Sequence, residues 1–259
     1  MDPVFFSIGS FSIRWYGFLA AMGFLAALLI IQINRRYAKL SSDQVSNIVM
    51  LGMISGVVGA RIFYVAQNWS FYSAHPSAII RIDQGGLVFY GGFILAFILV
   101  VLYVRKVCRA DVVRVLDVMA PALAAAHSLG RIGCFFNGCC YGKPTSLFVG
   151  LAYPQGSEPA QRYGEAALHP VQLYEAGENL LCAILYFYLV RKAPRGVPVA
   201  CYFIIYGILR FVNEFARGDH KLIWNLFTPA QLIGIVLITS GIGMLIYFLR
   251  RREIPSAES

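Results

Sequence analysis

The sequence predicts an all-α polytopic membrane protein with seven transmembrane helices and a small external cap segment. Three observations predict it. Of the 259 residues, 58% are hydrophobic and only 14% charged, and the mean hydropathy of +0.65 is too high for a soluble domain of this length. Seven apolar runs, each near the roughly 20 residues that a bilayer core demands, fall at about 15–34, 45–67, 86–104, 112–136, 170–190, 197–216 and 227–249. Finally, Lys and Arg gather at every second connection.

Each element has a local reason to start where it does. The first run lacks a basic leader and has full span length, so it is expected to remain as a signal anchor. Asp43 and Asp111 precede the second and fourth runs as N-caps, and Pro170 suits the first turn of the fifth. The longest polar segment, 138–169, carries Lys143, Pro144, Pro154, Gly156 and Pro159. Connections of that length are usually functional or form a small cap, and the alternation from Leu147 to Tyr153 predicts a short strand within it. With no internal repeat and no low-complexity tract, residues 1–259 are expected to form a single membrane-embedded domain.

Orientation follows from charge. Arg35, Arg36 and Lys39 follow the first run, while Arg105, Lys106, Arg109 and Arg114 join the third to the fourth. Arg191, Lys192 and Arg195 follow the fifth, and Arg250, Arg251 and Arg252 follow the seventh. These thirteen of the 22 basic residues share one side, which the positive-inside rule makes cytoplasmic. The N-terminus and the 138–169 segment are then expected outside and the C-terminus inside. The net charge of +9 reflects this topology and anionic membrane lipids, so nucleic acid is not expected as a partner.

With directions assigned, polar residues fall at one depth. Arg61, Arg131 and Arg210 lie in the outer thirds of the second, fourth and sixth spans; Tyr16, Tyr90, Gln172 and Glu175 lie near the outer starts of the first, third and fifth. An arginine at a helix centre costs at least about 2.5–3.5 kcal/mol. Any one of them alone reads as snorkelling to the headgroups. Three at one level read as a shared site for an anion, and in lipid the available anion is phosphate. His127 and Glu214 stand four residues from Arg131 and Arg210, on the same helical faces. Whether Glu175 pairs structurally or moves a proton stays open, as does a purely structural role for His127.

Glycines 130, 133, 138 and 142 surround Arg131 and allow backbone to approach something closely. The fourth span ends here, presenting its negative dipole end, so phosphate must be held by side chains and loop amides. Of the six cysteines, Cys134, Cys139 and Cys140 are near one another in sequence. No accompanying zinc ligand set has recognised spacing, so neither metal nor cofactor is expected; a disulfide from Cys134 to one of the pair stays open.

The stretch from His127 through Arg131, Gly133, Asn137 and Gly138 to Gly142 resembles the signature of the bacterial prolipoprotein diacylglyceryl transferases. Other blocks resemble the same family in the same order: residues 2–9 with Trp15-Tyr16-Gly17, Gly59-Ala60-Arg61, Gly85 to Gly92, His169 to Glu175, and Tyr206 to Arg217. The resemblance implies a transferase of the bacterial inner membrane. It would move diacylglycerol from phosphatidylglycerol to the lipobox cysteine thiol in the signal peptide of a prolipoprotein, forming a thioether and releasing glycerol 1-phosphate. Arg131 and Arg210 match the family's important arginines, and Tyr16, Asn137, Gly142 and Glu214 occupy motif positions the family uses. Taken with the depth and spacing of the polar residues, catalytic roles are expected for Arg131, Arg210, Tyr90, Tyr16 and His127, and substrate contacts for Arg61, Arg131, Asn137, Gly142, Gln172, Glu175 and Glu214. Where this chain has Tyr90, Cys134 and Cys139, the family pattern commonly has histidine, asparagine and glutamate, and that histidine is often regarded as the base. The alternative from another class is an anionic-lipid transporter or flippase with an arginine-lined headgroup site, against which the missing inverted repeat counts.

Overall fold

The computed structural model describes residues 3–8, 11–81, 85–218 and 226–251; Asp2, Gly9 and Arg252, which entered the reading above, lie outside the described residues. A hairpin of β1 (Val4–Ile8) and β2 (Phe11–Arg14) leads into α1 (Trp15–Asn34), followed by α2 (Ser42–Gln67), α3 (Trp69–Ala74), α4 (Phe89–Tyr103) and α5 (Val112–Asn137). Then come α6 (Glu158–Tyr163), α7 (Val171–Lys192), α8 (Val197–Ala216) and α9 (Pro229–Arg250). Among the described residues, seven helices are long and apolar enough to cross a membrane, and each coincides with a predicted run. Exposed Leu29, Ile33, Leu181 and Val236 give these helices the apolar outer surface that lipid requires. The hairpin was not expected, although Gly9-Ser10 between two apolar runs is a two-residue turn signal in the sequence.

The described chain divides into two compact units, 38–115 and 1–37 with 116–259. In the smaller unit, α2 begins with a capping box: Gln44 N donates to Ser41 Oγ at 3.1 Å and Ser41 N to Gln44 Oε1 at 2.9 Å. The N-cap is therefore Ser41; Asp43, expected in that role, sits in the first turn, where its charge still favours the helix dipole. Asp111 does cap α5, accepting from Val113 N at 2.9 Å. Helices α2 and α4 touch through glycine, since a methyl at Gly59 would lie 2.5 Å from Gly91 O and one at Gly92 2.5 Å from Gly56 O. Small residues let backbones approach where lipid supplies no hydrophobic drive for association.

In the larger unit, Asp117 of α5 caps a different helix. Its carboxylate accepts from Gly196 N at 2.8 Å and Val199 N at 3.1 Å, placing an anion at the positive start of α8. Helices α8 and α9 repeat the glycine contact: a methyl at Gly207 would meet Gly234 O at 2.8 Å, and one at Gly234 would meet Gly207 O at 2.9 Å. Contacts fix helix directions. Trp15 stacks on Phe136 with ring centroids 4.6 Å apart, while Gly142 N donates to His169 O at 3.0 Å and Lys143 N to Ala216 O at 2.8 Å. The start of α1, the end of α5, the start of α7 and the end of α8 thus share one end of this unit. Arg191 Nε, which donates to Asn34 Oδ1 at 3.3 Å, marks the other.

Residues 138–169 have a small core of their own, in which buried Tyr141, Tyr153 and Leu168 pack with Tyr163 and Ala166. The strand expected over Leu147–Tyr153 does not form. Gly150 N turns back to Leu147 O at 2.9 Å, so only Leu151 pairs, exchanging bonds of 3.0 and 2.9 Å with Leu168. Pro170 is the N-cap of α7 rather than part of its first turn.

Candidate functional site

Glu175, on the first turns of α7, is 3% exposed and gathers three arginines from two other helices. Its Oε2 is ion-paired with Arg131 Nε, and its Oε1 lies 3.4 Å from Arg210 Nη1 and 3.9 Å from Arg217 Nη1. Arg210 Nη1 is also 3.0 Å from Glu214 Oε2, and Arg131 Nε lies 3.0 Å from His127 Nε2. The carboxylates hold each arginine by one nitrogen. Among the described residues, Nη1 and Nη2 of Arg131 and Nε and Nη2 of Arg210 have no hydrogen-bond partner. A guanidinium has five N–H donors and no acceptor, so this geometry leaves most of both forks aimed elsewhere while their positions are fixed. A small cleft beside Arg210 is lined by His127, Glu175, Glu178, Tyr206 and Asn213.

Arg61 is different. Its Nε donates to Ile79 O at 2.8 Å, Nη1 to Gly85 O at 2.9 Å and Gly86 O at 3.0 Å, and Nη2 to Ala78 O at 2.7 Å and Arg81 O at 2.9 Å. All five donors are satisfied by backbone carbonyls of the connection between α3 and α4. The expected phosphate contact is corrected accordingly: Arg61 staples a loop, and in this geometry no N–H remains for a headgroup.

The other expected residues divide. His127 accepts through Nε2 from Arg131 and lies 5.5 Å from the Tyr206 ring, which makes it a support for the arginine. Gln172 accepts from Tyr153 OH at 3.1 Å and donates to Cys139 O at 2.8 Å, pinning the turn after α5; burial raises the Tyr153 phenol above its usual pKa and keeps it a neutral donor. Gly142 sits where 141–143, 168–169 and 216–218 cross, and a methyl there would come 2.6 Å from His169 O, so packing accounts for it. Asn137 ends α5 and bonds Cys139. Tyr16 is half-exposed and its backbone lies against Gly133, one helical step past Arg131. Tyr90, at the start of α4, is 51% exposed.

Sequence reasoning missed Arg217 as a member of this cluster, although it stands seven residues after Arg210 and hence on the same side of the chain's path. It also missed Asn213, whose Nδ2 reaches Glu178 Oε2 at 2.5 Å, and the convergence of Cys134, Cys139 and Cys140, whose sulfurs lie within 4.8 Å of one another. All three are free thiols, so the disulfide left open above is not formed. Hydrogen bonds from Cys134 and Cys139 pull the Cys140 thiol below its usual pKa, and the charges of Arg217 and Arg131 act in the same direction.

The family model described as prolipoprotein diacylglyceryl transferase matches residues 3–247. The chain belongs to this family. Proteins named phosphatidylglycerol–prolipoprotein diacylglyceryl transferase are similar over nearly the whole length. The one from Clostridium tetani is 34% identical over 93% of this chain and 96% of its own, and the one from Geobacter sulfurreducens is 33% identical over 98% of both. A Streptococcus agalactiae relative is 34% identical over 98% of this chain and 97% of its own. With seven apolar helices, the prolipoprotein diacylglyceryl transferase fold is that of a multi-pass protein of the bacterial inner membrane.

Proposed function

We propose that this protein transfers the diacylglyceryl group of phosphatidylglycerol to the thiol of the lipobox cysteine in a prolipoprotein signal peptide, forming a thioether and releasing glycerol 1-phosphate. One observation supports the reading: Arg131 and Arg210 are each held by a buried carboxylate through a single nitrogen, which leaves the other guanidinium donors available to an anion. A bidentate guanidinium suits phosphate. As the C–O bond to the phosphate breaks, charge grows on its oxygens, and prepositioned cations in a site poor in water stabilise that charge. Glu175 and Glu214 keep the forks in place before substrate arrives, and His127 steadies Arg131.

No strong base is needed. A thiol of pKa about 8.5 costs only about 1.4 kcal/mol to ionise at pH 7.5. Tyr90 is assigned as a hydrogen-bond donor to the headgroup, and Tyr16 lines the approach beside Gly133. The whole chain acts as one transferase domain, with the N-terminus and the 138–169 cap outside and the C-terminus cytoplasmic, so that the site faces the outer leaflet. The transporter alternative finds no support among the relatives' names. The test is product formation: purified protein, phosphatidylglycerol vesicles and a lipobox peptide should yield a peptide heavier by one diacylglyceryl group, and a Cys→Ser peptide should not. Lipid movement across the vesicle with no modified peptide would reject the transferase reading.

A further inference from the structure

Cysteine spacing alone predicts no metal ligand set, yet three thiols meet at the end of α5. Cys134 comes from the helix's last turn and Cys139 and Cys140 from the turn that follows it. Cys140 holds φ at +65°, a left-handed backbone that a non-glycine residue keeps only when its surroundings demand it; here it brings a third sulfur to the other two. Zinc–thiolate bonds of about 2.3 Å in a tetrahedron separate sulfurs by roughly 3.8 Å. Sulfurs already within 4.8 Å of one another reach that spacing by side-chain rotation. A disulfide would use two thiols and give the third nothing to do. Among the described residues no fourth His, Cys, Asp or Glu joins the group. Three protein ligands and one open position are the pattern of a catalytic zinc, whereas structural zinc is closed by four. A zinc ion with three thiolates carries a net charge of −1, and Cys134 stands three residues after Arg131 on α5, on a neighbouring position of the same helical face, which sets the centre beside one of the arginines assigned to phosphate.

We infer that Cys134, Cys139 and Cys140 form a three-thiolate zinc site whose fourth position takes the lipobox cysteine thiol of the substrate. The inference rests on the transferase reading for that fourth ligand. A thiol bound to zinc loses its proton outright. The proton passes to solvent or to the departing phosphate monoester. The thiolate sulfur then supplies the electron pair of the new C–S bond, while the C–O bond breaks and its pair leaves with glycerol 1-phosphate. Zinc is neither oxidised nor reduced.

The test begins with metal content. Full-length protein purified without chelator from zinc-supplemented cells should hold about one zinc per chain. Cys134→Ser, Cys139→Ser and Cys140→Ser should each lose it, and Cys182→Ala should keep it. A wild-type measurement covers the case of misfolded variants. Protein loaded with cadmium should show a thiolate-to-metal charge-transfer band that grows by about a third when a lipobox peptide is added, as three thiolates become four. The Cys→Ser peptide should leave the band unchanged. Zinc far below one per chain, zinc retained by all three serine variants, copper in its place, or two of the thiols found oxidised to a disulfide would each overturn the inference. Active protein without stoichiometric zinc would sink the zinc site and leave the transferase standing; zinc-loaded protein that never modifies peptide would do the reverse.

Discussion

Arginines that look alike in the sequence have opposite duties once their partners are known. Arg61 spends five donors on carbonyls 17 to 25 residues along the chain, whereas Arg131 and Arg210 are each gripped by one nitrogen. Arg61→Ala should therefore loosen residues 78–86 and lower thermal stability, read as earlier unfolding and faster proteolysis in that connection; Arg61→Lys should not restore it, because an ammonium has three donors on one atom. Removing the anion that orients the cluster should be more damaging to chemistry. Glu175→Gln leaves buried guanidinium groups uncompensated, a change that typically costs about 3–5 kcal/mol, and should lower both melting temperature and single-turnover transfer. A smaller effect is expected at Tyr90, where Tyr90→Phe would remove the one hydrogen bond proposed to the charged headgroup, about 1.5–3 kcal/mol, or roughly 10- to 150-fold in rate. Tyr90→His should retain measurable activity, and unchanged transfer by Tyr90→Phe would exclude an essential hydroxyl. The buried arginines were legible from charge at depth, but the division between those held by carboxylates and the one held by backbone was not, because it depends on carbonyls that no spacing rule connects to Arg61.

At the scale of elements, hydropathy found all seven spans because lipid leaves a helix little freedom in length or composition. Their contacts were harder to read. Gly59, Gly91 and Gly92 stood out as motif residues, and the structure gives them a packing reason: α2 and α4 touch backbone to side chain at those positions. Gly92→Leu should overpack the pair and cost about 1–3 kcal/mol, measured as thermal unfolding in detergent; stability equal to wild type would contradict the contact. Asp117 went unnoticed because its partners, Gly196 N and Val199 N, lie nearly 80 residues away. Cap choice also turned on local competition: Ser41 offers a reciprocal box with Gln44, and Asp43 offers none. The β1–β2 hairpin had only a short turn signal, and the strand expected at Leu147–Tyr153 lost to a turn at Gly150.

For the whole molecule, the thirteen clustered basic residues are the ground for the proposed outside N-terminus and cap and cytoplasmic tail. Reporter fusions within 155–160 and after Ser259 should therefore report opposite compartments; a shared compartment would undo the common-depth argument. That argument converges on Arg131 and Arg210, so the most direct measurement is single-turnover transfer from phosphatidylglycerol to a lipobox peptide by variants of these two residues, normalised to folded, inserted protein. Arg131→Ala and Arg210→Ala should each lose at least about 10²–10³-fold, Arg→Lys at either position should recover little, and Arg36→Ala on the cytoplasmic side should match wild type. Near-normal transfer by either alanine variant would contradict the account.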